Sequence, residues 1–302
     1  MIAKVGLGML GLSGKYLNLS AENARKIIKS IQYENFEIID SATAYAEGGN
    51  SIDCLISENT LFKDKSVYFK IGADYYNGSI DDLILEFEVA KKVYGRMLKC
   101  IILHKTGPHL FDMHKIFFQF MRESYPSILL GMSTHSVVVL EEYQDLNVDL
   151  VQAPLNLIDY SSNQKIFSNA KKYGITTQAR SCLASGLLSG RYGEKDVLHF
   201  KDSIRSRYKI SPLQINIYNK RIKAIAEIMK FYKYACRKYD LEISMSNFAY
   251  SVIANMDFVD HILIGGTTFH QINNNLYLKE LPQELMNEIT EEHIHAWQAN
   301  SL

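Results

Sequence analysis

The sequence predicts a (β/α)8 barrel, the TIM-barrel class of α/β protein, with residues 1–302 forming one domain. Three observations predict it. Eight short apolar runs alternate with longer helical patterns from end to end. The runs are continuous rather than alternating, as in Ile101-Ile102-Leu103 and Ile128-Leu129-Leu130, which suits parallel strands buried on both faces. No Pro/Gly/Ser-rich linker interrupts the alternation, and the chain holds only five prolines. A length of 302 residues would accommodate two domains of about 150, but barrels of this class routinely run to about 250 or more as one.

The first strand is expected over Lys4–Gly8. Its Gly6, Gly8 and Gly11 match GxGxxG, but a dinucleotide loop of that kind needs a helix opening at the third glycine. Gly14 and the polar residues up to Ser20 follow instead, so a glycine-rich strand and turn are expected. A helix over 21–33 opens at Ser20 with Glu22 in its first turn, as an N-cap and the helix dipole favour. Strand two, Glu37–Asp40, leads to a helix over 51–59. Strand three, Val67–Ile71, leads to a helix over 80–95, capped by Ser79 and followed by Asp81 and Asp82. Strand four, Cys100–His104, precedes a helix over 113–123. Strand five, Ile128–Met132, precedes one over 136–144 that begins at Ser136. Strands six and seven are Leu150–Ala153 and Thr176–Ala179, with a helix over 163–173 between them. Helices over 214–238 and 244–255, the latter capped by Ser244 or Ser246, lead to strand eight, His261–Ile264. Two segments lie outside the repeat: a long polar stretch, Gly186–Pro212, of the kind that serves as a lid or binding loop, and a C-terminal helix near 283–298.

Hydrophobic residues make up 47% of the chain and charged residues 22%, ordinary values for a globular protein with a substantial core. Lys and Arg number 33 and so do Asp and Glu; no global field draws in nucleic acid or an anionic membrane, and neither is an expected partner. The stretch from Met1 to Gly6 lacks a charged region followed by a sustained apolar one, so no signal peptide is expected. No apolar run is long enough to span a bilayer. Cys54, Cys100, Cys182 and Cys236 are scattered without CxxC spacing, which supports neither a zinc site nor a disulfide framework. A reduced, cytoplasmic setting is the expectation. Cys182 reads as buried packing rather than as a nucleophile.

Functional side chains in such barrels sit where strands end on the C-terminal face. Asp40 ends strand two and Tyr45 follows in the loop; Lys70 lies at the end of strand three; His104 ends strand four. Singly, each has an ordinary reading: a strand-end cap, a loop phenol, a solvated rim cation, a satisfied core histidine. Together, a carboxylate, a phenol, an ammonium and an imidazole on three consecutive strand ends form a candidate catalytic group. A metal-dependent hydrolase would want HxH or clustered His and Asp ligands, and only His104 is well placed.

Several segments carry a resemblance. Asp40-Ser41-Ala42-Thr43-Ala44-Tyr45, Phe69-Lys70-Ile71-Gly72 and Leu103-His104-Lys105 come first. Gly131–Ser136, Val151–Asn156, Ala184–Gly190 and Gly265–Leu276 follow in order. By these the chain resembles the aldo-keto reductase superfamily over essentially its whole length. The resemblance implies an NAD(P)H-dependent oxidoreductase reducing a small polar aldehyde, ketone or sugar. In it Tyr45 is the general acid, Lys70 its activator, Asp40 the partner that orients Lys70, and His104 the anchor of the carbonyl oxygen. An ammonium within about 4–6 Å favours the phenolate, so Lys70 is expected to lower the Tyr45 pKa. The loop after Tyr45, up to Asn50, is longer than is usual in the family, and Ser51-Ile52 replaces its Ser-Glu.

On the cofactor side the resemblance implies Ser133 and Gln152 at the nicotinamide amide, and Arg180 stacked against the ring. Leu183, Ser185 and Leu187 begin the segment around the pyrophosphate, which Arg205 and Arg207 would clamp if they are not surface charges. Gly265, Thr267, Thr268, Gln271 and Asn275 lie at the adenosine end. NADPH is the family's usual cofactor. Many NADPH-preferring relatives carry a Lys and an Arg where this chain has Gly265 and Gln271, which leaves NADH open. Two other readings share the cofactor: a regulatory subunit with little turnover, and a redox-neutral sugar epimerase or dehydratase. A monomer or weak homo-oligomer is expected.

Overall fold

The computed structural model describes residues 2–14, 19–31, 34–48, 62, 64–73, 79–202, 204–289, 293–294 and 297. Eight parallel strands close into one barrel in sequence order. They are β1 (Lys4–Gly8), β2 (Ile38–Ala42), β3 (Ser66–Ile71), β4 (Leu98–Leu103), β5 (Leu129–Ser133), β6 (Leu150–Pro154), β7 (Thr176–Arg180) and β8 (His261–Ile264). All eight coincide with the apolar runs of the sequence to within two residues. Closure comes from β1 against β8, with Lys4 beside His261 and Leu7 beside Ile264.

Helices cover the outside: α1 (Ala21–Ile31), α2 (Ile80–Tyr94), α3 (Phe111–Ser124), α4 (Val137–Tyr143), α5 (Tyr160–Lys172), α6 (Pro212–Lys238) and α7 (Met245–Ala254). In α2, the buried Leu83, Phe87, Ala90 and Tyr94 recur at helical spacing and form the stripe that faces the strands. The expected caps are in place: Ser79 accepts from the Asp81 amide, Ser136 from that of Val139, and Ser244, rather than Ser246, from that of Asn247. The helix expected over 51–59 lies outside the described residues, as do Asn50 and much of the C-terminal segment after Ile289. What is described of that segment begins as a short helix, α9 (Gln283–Glu288).

Two findings depart from the sequence-based expectation. A further helix, α8 (Phe269–Leu276), follows β8; Thr268 caps it by accepting from the Gln271 amide at 3.2 Å. The segment over 186–212 is not simply a polar loop. It folds into three 3-10 turns, Leu187–Ser189, Glu194–His199 and Ser206–Lys209, around buried Leu188, Val197, Phe200 and Tyr208. Its centre is a buried ion pair in which Arg205 Nε donates to Asp202 Oδ2 at 2.9 Å, with the guanidinium lying 5.0 Å from the Tyr192 ring and 5.5 Å from that of Phe200.

The N-terminal glycine motif ends in a 3-10 turn, Met9–Leu12, and opens no α-helix at Gly11. Gly11 is required for another reason: a Cβ there would stand 2.3 Å from the Gly266 carbonyl oxygen. The turns after β1 and β8 therefore touch backbone to backbone.

The loop after β4 is clamped by a buried pair. Tyr143 Oη donates to the Gly107 carbonyl at 3.0 Å and lies 2.8 Å from His114 Nδ1. Burial, helped by the neighbouring His109, holds the His114 imidazole down at about 4, whereas an unfolded histidine titrates near 6.5. Between about pH 6.5 and pH 4 the unfolded chain carries a proton that the folded chain excludes. This group's contribution is thus complete above about pH 6.5 and lost on acidification, by about 2 kcal/mol between pH 7 and pH 5. His114→Gln, which keeps a hydrogen-bonding group, is expected to lose less stability over that interval by urea unfolding. An unchanged difference between pH 7 and pH 5 would refute the assignment.

Candidate active site

A cavity of about 1110 Å³ opens among the C-terminal ends of the strands, and its lining includes Asp40, Tyr45, Lys70 and His104. The barrel register explains how they meet. Asp40 and Lys70 both end buried apolar runs, and β2 pairs with β3 so that Lys70 stands beside Ala42. Each of the two is only 2% exposed. Lys70 Nζ donates to Asp40 Oδ1, and the second carboxylate oxygen accepts from Gln152 Nε2 at 2.7 Å. The Lys70 ammonium lies 5.2 Å from the centre of the Tyr45 ring. The Tyr45 and His104 rings meet edge to face, 6.5 Å apart and 89° inclined.

Electrostatics at the pair runs in opposed directions. Burial disfavours the Lys70 ammonium, but the Asp40 carboxylate and the Tyr45 phenol more than offset this, and its pKa is raised. Lysine is therefore charged. Burial also disfavours the Tyr45 phenolate, and this outweighs the pull of Lys70, so the phenol pKa is raised rather than lowered. The expected direction is corrected here: Lys70 acts as expected, but desolvation is the larger effect.

The turn that carries Tyr45, Thr43–Gly48, is tied to the end of β3 through α2. Glu86 Oε2 accepts from Thr43 Oγ1 at 2.7 Å and from the Gly72 amide at 3.0 Å. One carboxylate thus fixes the segments bearing the phenol and the ammonium.

The cavity lining also includes Ser133, Gln152, Arg180, Leu183, Ser185, Gly265, Thr267, Gln271 and Asn275. Thr134 spends its hydroxyl on the turn before α4, accepting from the Ser136 amide at 3.0 Å. Arg180 Nη2 sits 2.8 Å from His135 Nε2; since arginine only donates, this His135 nitrogen accepts. Ser181, Ala184 and Ser185 have φ of 57°, 47° and 60°, a left-handed backbone that costs a non-glycine residue about 1–2 kcal/mol. Such strain in the turn bordering a cavity is characteristic of binding segments. At the β8 end, Gln271 Oε1 accepts from the Thr267 amide and hydroxyl at 2.9 and 3.1 Å, and Asn275 Nδ2 donates to the Gly265 carbonyl at 3.0 Å.

Two expected site residues are not brought to the cavity. Leu187 is fully buried in the core, because the 3-10 turn it opens points its apolar side chain inward. Thr268 is occupied as the α8 cap. Arg205 does line the cavity, but its charge is committed to Asp202; Arg207 is exposed, 3.5 Å from Ser185 Oγ. Cys182 is buried, and burial pushes its thiol well up, as expected of packing. Sequence reasoning missed Gln178, which bonds Gln152, and Tyr250, whose hydroxyl accepts from the Gly265 amide at 3.1 Å. For Gln178 a signal existed: an amide in the middle of a strand buried on both faces.

Among the described residues no group of three His, Cys, Asp or Glu is placed to hold a metal ion, and no helix is long and apolar enough to cross a membrane. The family model described as the aldo/keto reductase family matches residues 129–293, over half of the chain. The chain belongs to this family. Membership carries the general activity with it, the oxidoreduction of carbonyl compounds with a nicotinamide cofactor. No curated protein matches the sequence. Among solved structures, a glycerol dehydrogenase from Gluconobacter oxydans is similar with a TM-score of 0.74 at 19% identity, over 100% of this chain and 93% of that one. An aldo-keto reductase from a Medee basin deep-sea metagenome library gives 0.66 at 15%, over 98% and 91%. The holo form of an aldo-keto reductase from Bacillus halodurans gives 0.65 at 16%, over 98% and 92%. At such identities the likeness is one of fold. In this aldo/keto reductase the matched segment holds Ser133, Gln152, Arg180 and the β8 turn, while Asp40, Tyr45, Lys70 and His104 precede it.

Proposed function

We propose that this aldo/keto reductase reduces a small polar aldehyde, ketone or sugar carbonyl, with Tyr45 as the general acid. The observation that carries the reading is the buried Asp40–Lys70 pair directly beside Tyr45, with His104 edge-on to the same ring. Burial keeps the phenol protonated at neutral pH, which is the state an acid needs before the reaction. Lys70 is held charged by Asp40 and favours the phenolate left behind once the proton goes to the carbonyl oxygen. His104 is suited to donate a hydrogen bond to that oxygen and fix its place. Asp40 keeps Lys70 in position and balances its charge in a site shielded from water.

A nicotinamide bound in the cavity would supply hydride chemistry for the reduction. The residues present fit such a group: Gln152 Oε1 is buried without a partner among the described residues, an acceptor awaiting a donor. Ser133, Gln152 and Arg180 would hold the nicotinamide end, Leu183 and Ser185 the pyrophosphate, and Gly265, Thr267, Gln271 and Asn275 the adenosine end. A steady-state screen of small aldehydes, ketones and aldoses with NADPH and with NADH tests the reading. Turnover of at least one carbonyl class is expected; tight cofactor binding with no turnover across the panel would favour a regulatory subunit instead.

The adenosine end also bears on cofactor preference. From Gly265 to Asn275 the chain has no Lys or Arg, and the Gln271 oxygen is already engaged by Thr267. A 2′-phosphate would find hydroxyls and amides but no cationic fork there, and charge-assisted bonds are the strong ones. The dissociation constants of NADPH and NADH are therefore expected to agree within about tenfold, a difference of about 1.4 kcal/mol. NADPH binding tighter by a larger factor would refute this.

A further inference from the structure

We infer that Gln178, inside β7, is a positioning residue that sets Gln152 as a hydrogen-bond acceptor for the amide of the nicotinamide. The inference rests on the proposal that the cavity holds such a cofactor. Gln152 and Gln178 are neighbours across β6 and β7 and are both fully buried. Gln152 Nε2 donates to Asp40 Oδ2 at 2.7 Å and to Gln178 Oε1 at 2.7 Å.

The direction of these bonds follows from charge. Asp40 is paired with Lys70; an ionised carboxylate only accepts, so the Gln152 atom facing it is the nitrogen. That nitrogen has two hydrogens, and Gln178 takes the second, so the Gln178 atom facing it is the oxygen. Turning either amide over would set oxygen against carboxylate or nitrogen against nitrogen. With both hydrogens used, Gln152 has one polar atom left, Oε1, which is buried and unpartnered among the described residues. Gln152 lines the cavity and Gln178 does not. A ligand that reaches the free polar atom of Gln152 is offered only a carbonyl oxygen and must bring a donor, as a primary amide does. Without Gln178, the Gln152 amide keeps a loose N–H and no longer presents a single face.

Gln178 is not explained by stability. Its own Nε2 is buried without a partner among the described residues, and a buried donor left unmade destabilises the fold. An apolar side chain of similar length removes that donor but leaves one Gln152 N–H unmade, so little net change in stability is expected.

The test uses the full chain and two probes: NADH, and its 3-acetylpyridine analogue, in which a methyl group replaces the amide nitrogen. Binding is read from cofactor fluorescence and stability from thermal unfolding. The wild-type chain is expected to bind the analogue about tenfold more weakly than NADH, the worth of about one hydrogen bond. Gln178→Leu and Gln178→Met are expected to bind NADH about tenfold more weakly than the wild type does, to bind the two probes alike, and to unfold no earlier. Variants that keep the wild-type preference for NADH would overturn the inference and leave the cavity reading intact. So would variants that lose binding only in step with an earlier thermal midpoint. A wild-type chain that binds neither NADH nor NADPH overturns the reading of the cavity, and this inference with it.

Discussion

Replacing Tyr45 by phenylalanine is expected to lower kcat by at least about a thousandfold, within the range of about 10²–10⁴ that general acid catalysis supplies, while changing cofactor affinity less than about threefold. The ring keeps its edge-to-face contact with His104, so the variant removes the transferable proton and little else. Lys70 then has no phenol to act on. Stopped-flow or steady-state reduction of a carbonyl found in the screen, set beside cofactor titration, checks both halves. A Tyr45→Phe variant within tenfold of the wild-type kcat would remove Tyr45 from the mechanism. The same phenol fixes the sign of the pH dependence. Its pKa is raised by burial, so the acid is present throughout the neutral range. The rate of reduction falls only as pH rises past the ordinary tyrosine value of about 10.

Replacing Lys70 by methionine is expected to destabilise the fold as well as stop turnover. Asp40 would keep the bond from Gln152 but lose the cation that pairs with it directly, leaving a carboxylate buried in the barrel. Breaking a buried pair by removing one partner costs about 3–5 kcal/mol, a fall of roughly 5–15 °C in the thermal midpoint for a chain of this size. The double variant Asp40→Asn with Lys70→Met removes both charges and should recover part of the loss, since sites that touch do not add. A Lys70→Met variant as stable as the wild type would mean that the carboxylate takes up a proton or finds another partner at little cost.

The barrel was legible because most strands are short apolar runs separated by helical patterns, and in β2, β3 and β4 the polar residue that closes the run lines the cavity. That rule singles out Asp40, Lys70 and His104 as cavity residues, while their proposed roles come from the resemblance. The rule fails where side-chain direction depends on local turns. Leu187 belongs to a segment that resembles a phosphate-binding loop, yet the 3-10 turn it opens directs it to the core. Thr268 was read as a ligand contact, but it stands one residue ahead of a helix whose run of Asn273, Asn274 and Asn275 hides the helical pattern. Leu188, Val197, Phe200 and Tyr208 recur with no fixed period, so the small core of the 186–212 segment left no periodic trace. The raised phenol of Tyr45 was hidden for another reason. Desolvation is set by everything packed around a group, whereas the effect of one neighbouring lysine can be guessed from the sequence.

The pairing of Lys4–Leu7 with His261–Ile264 also has a consequence for biosynthesis. The strand that seals the barrel is the last of the eight to be made. At roughly 5–20 residues per second, translation takes roughly ten to fifty seconds to go from one partner to the other. Through that interval the edge of the nascent sheet is open and its apolar faces are unclosed, the condition in which chains aggregate or recruit chaperones. Asp40, Lys70 and His104 emerge early, but they sit in a finished cavity only after residue 264 has cleared the ribosome. A chain stalled or truncated before that point carries every proposed catalytic side chain and is expected to be inert.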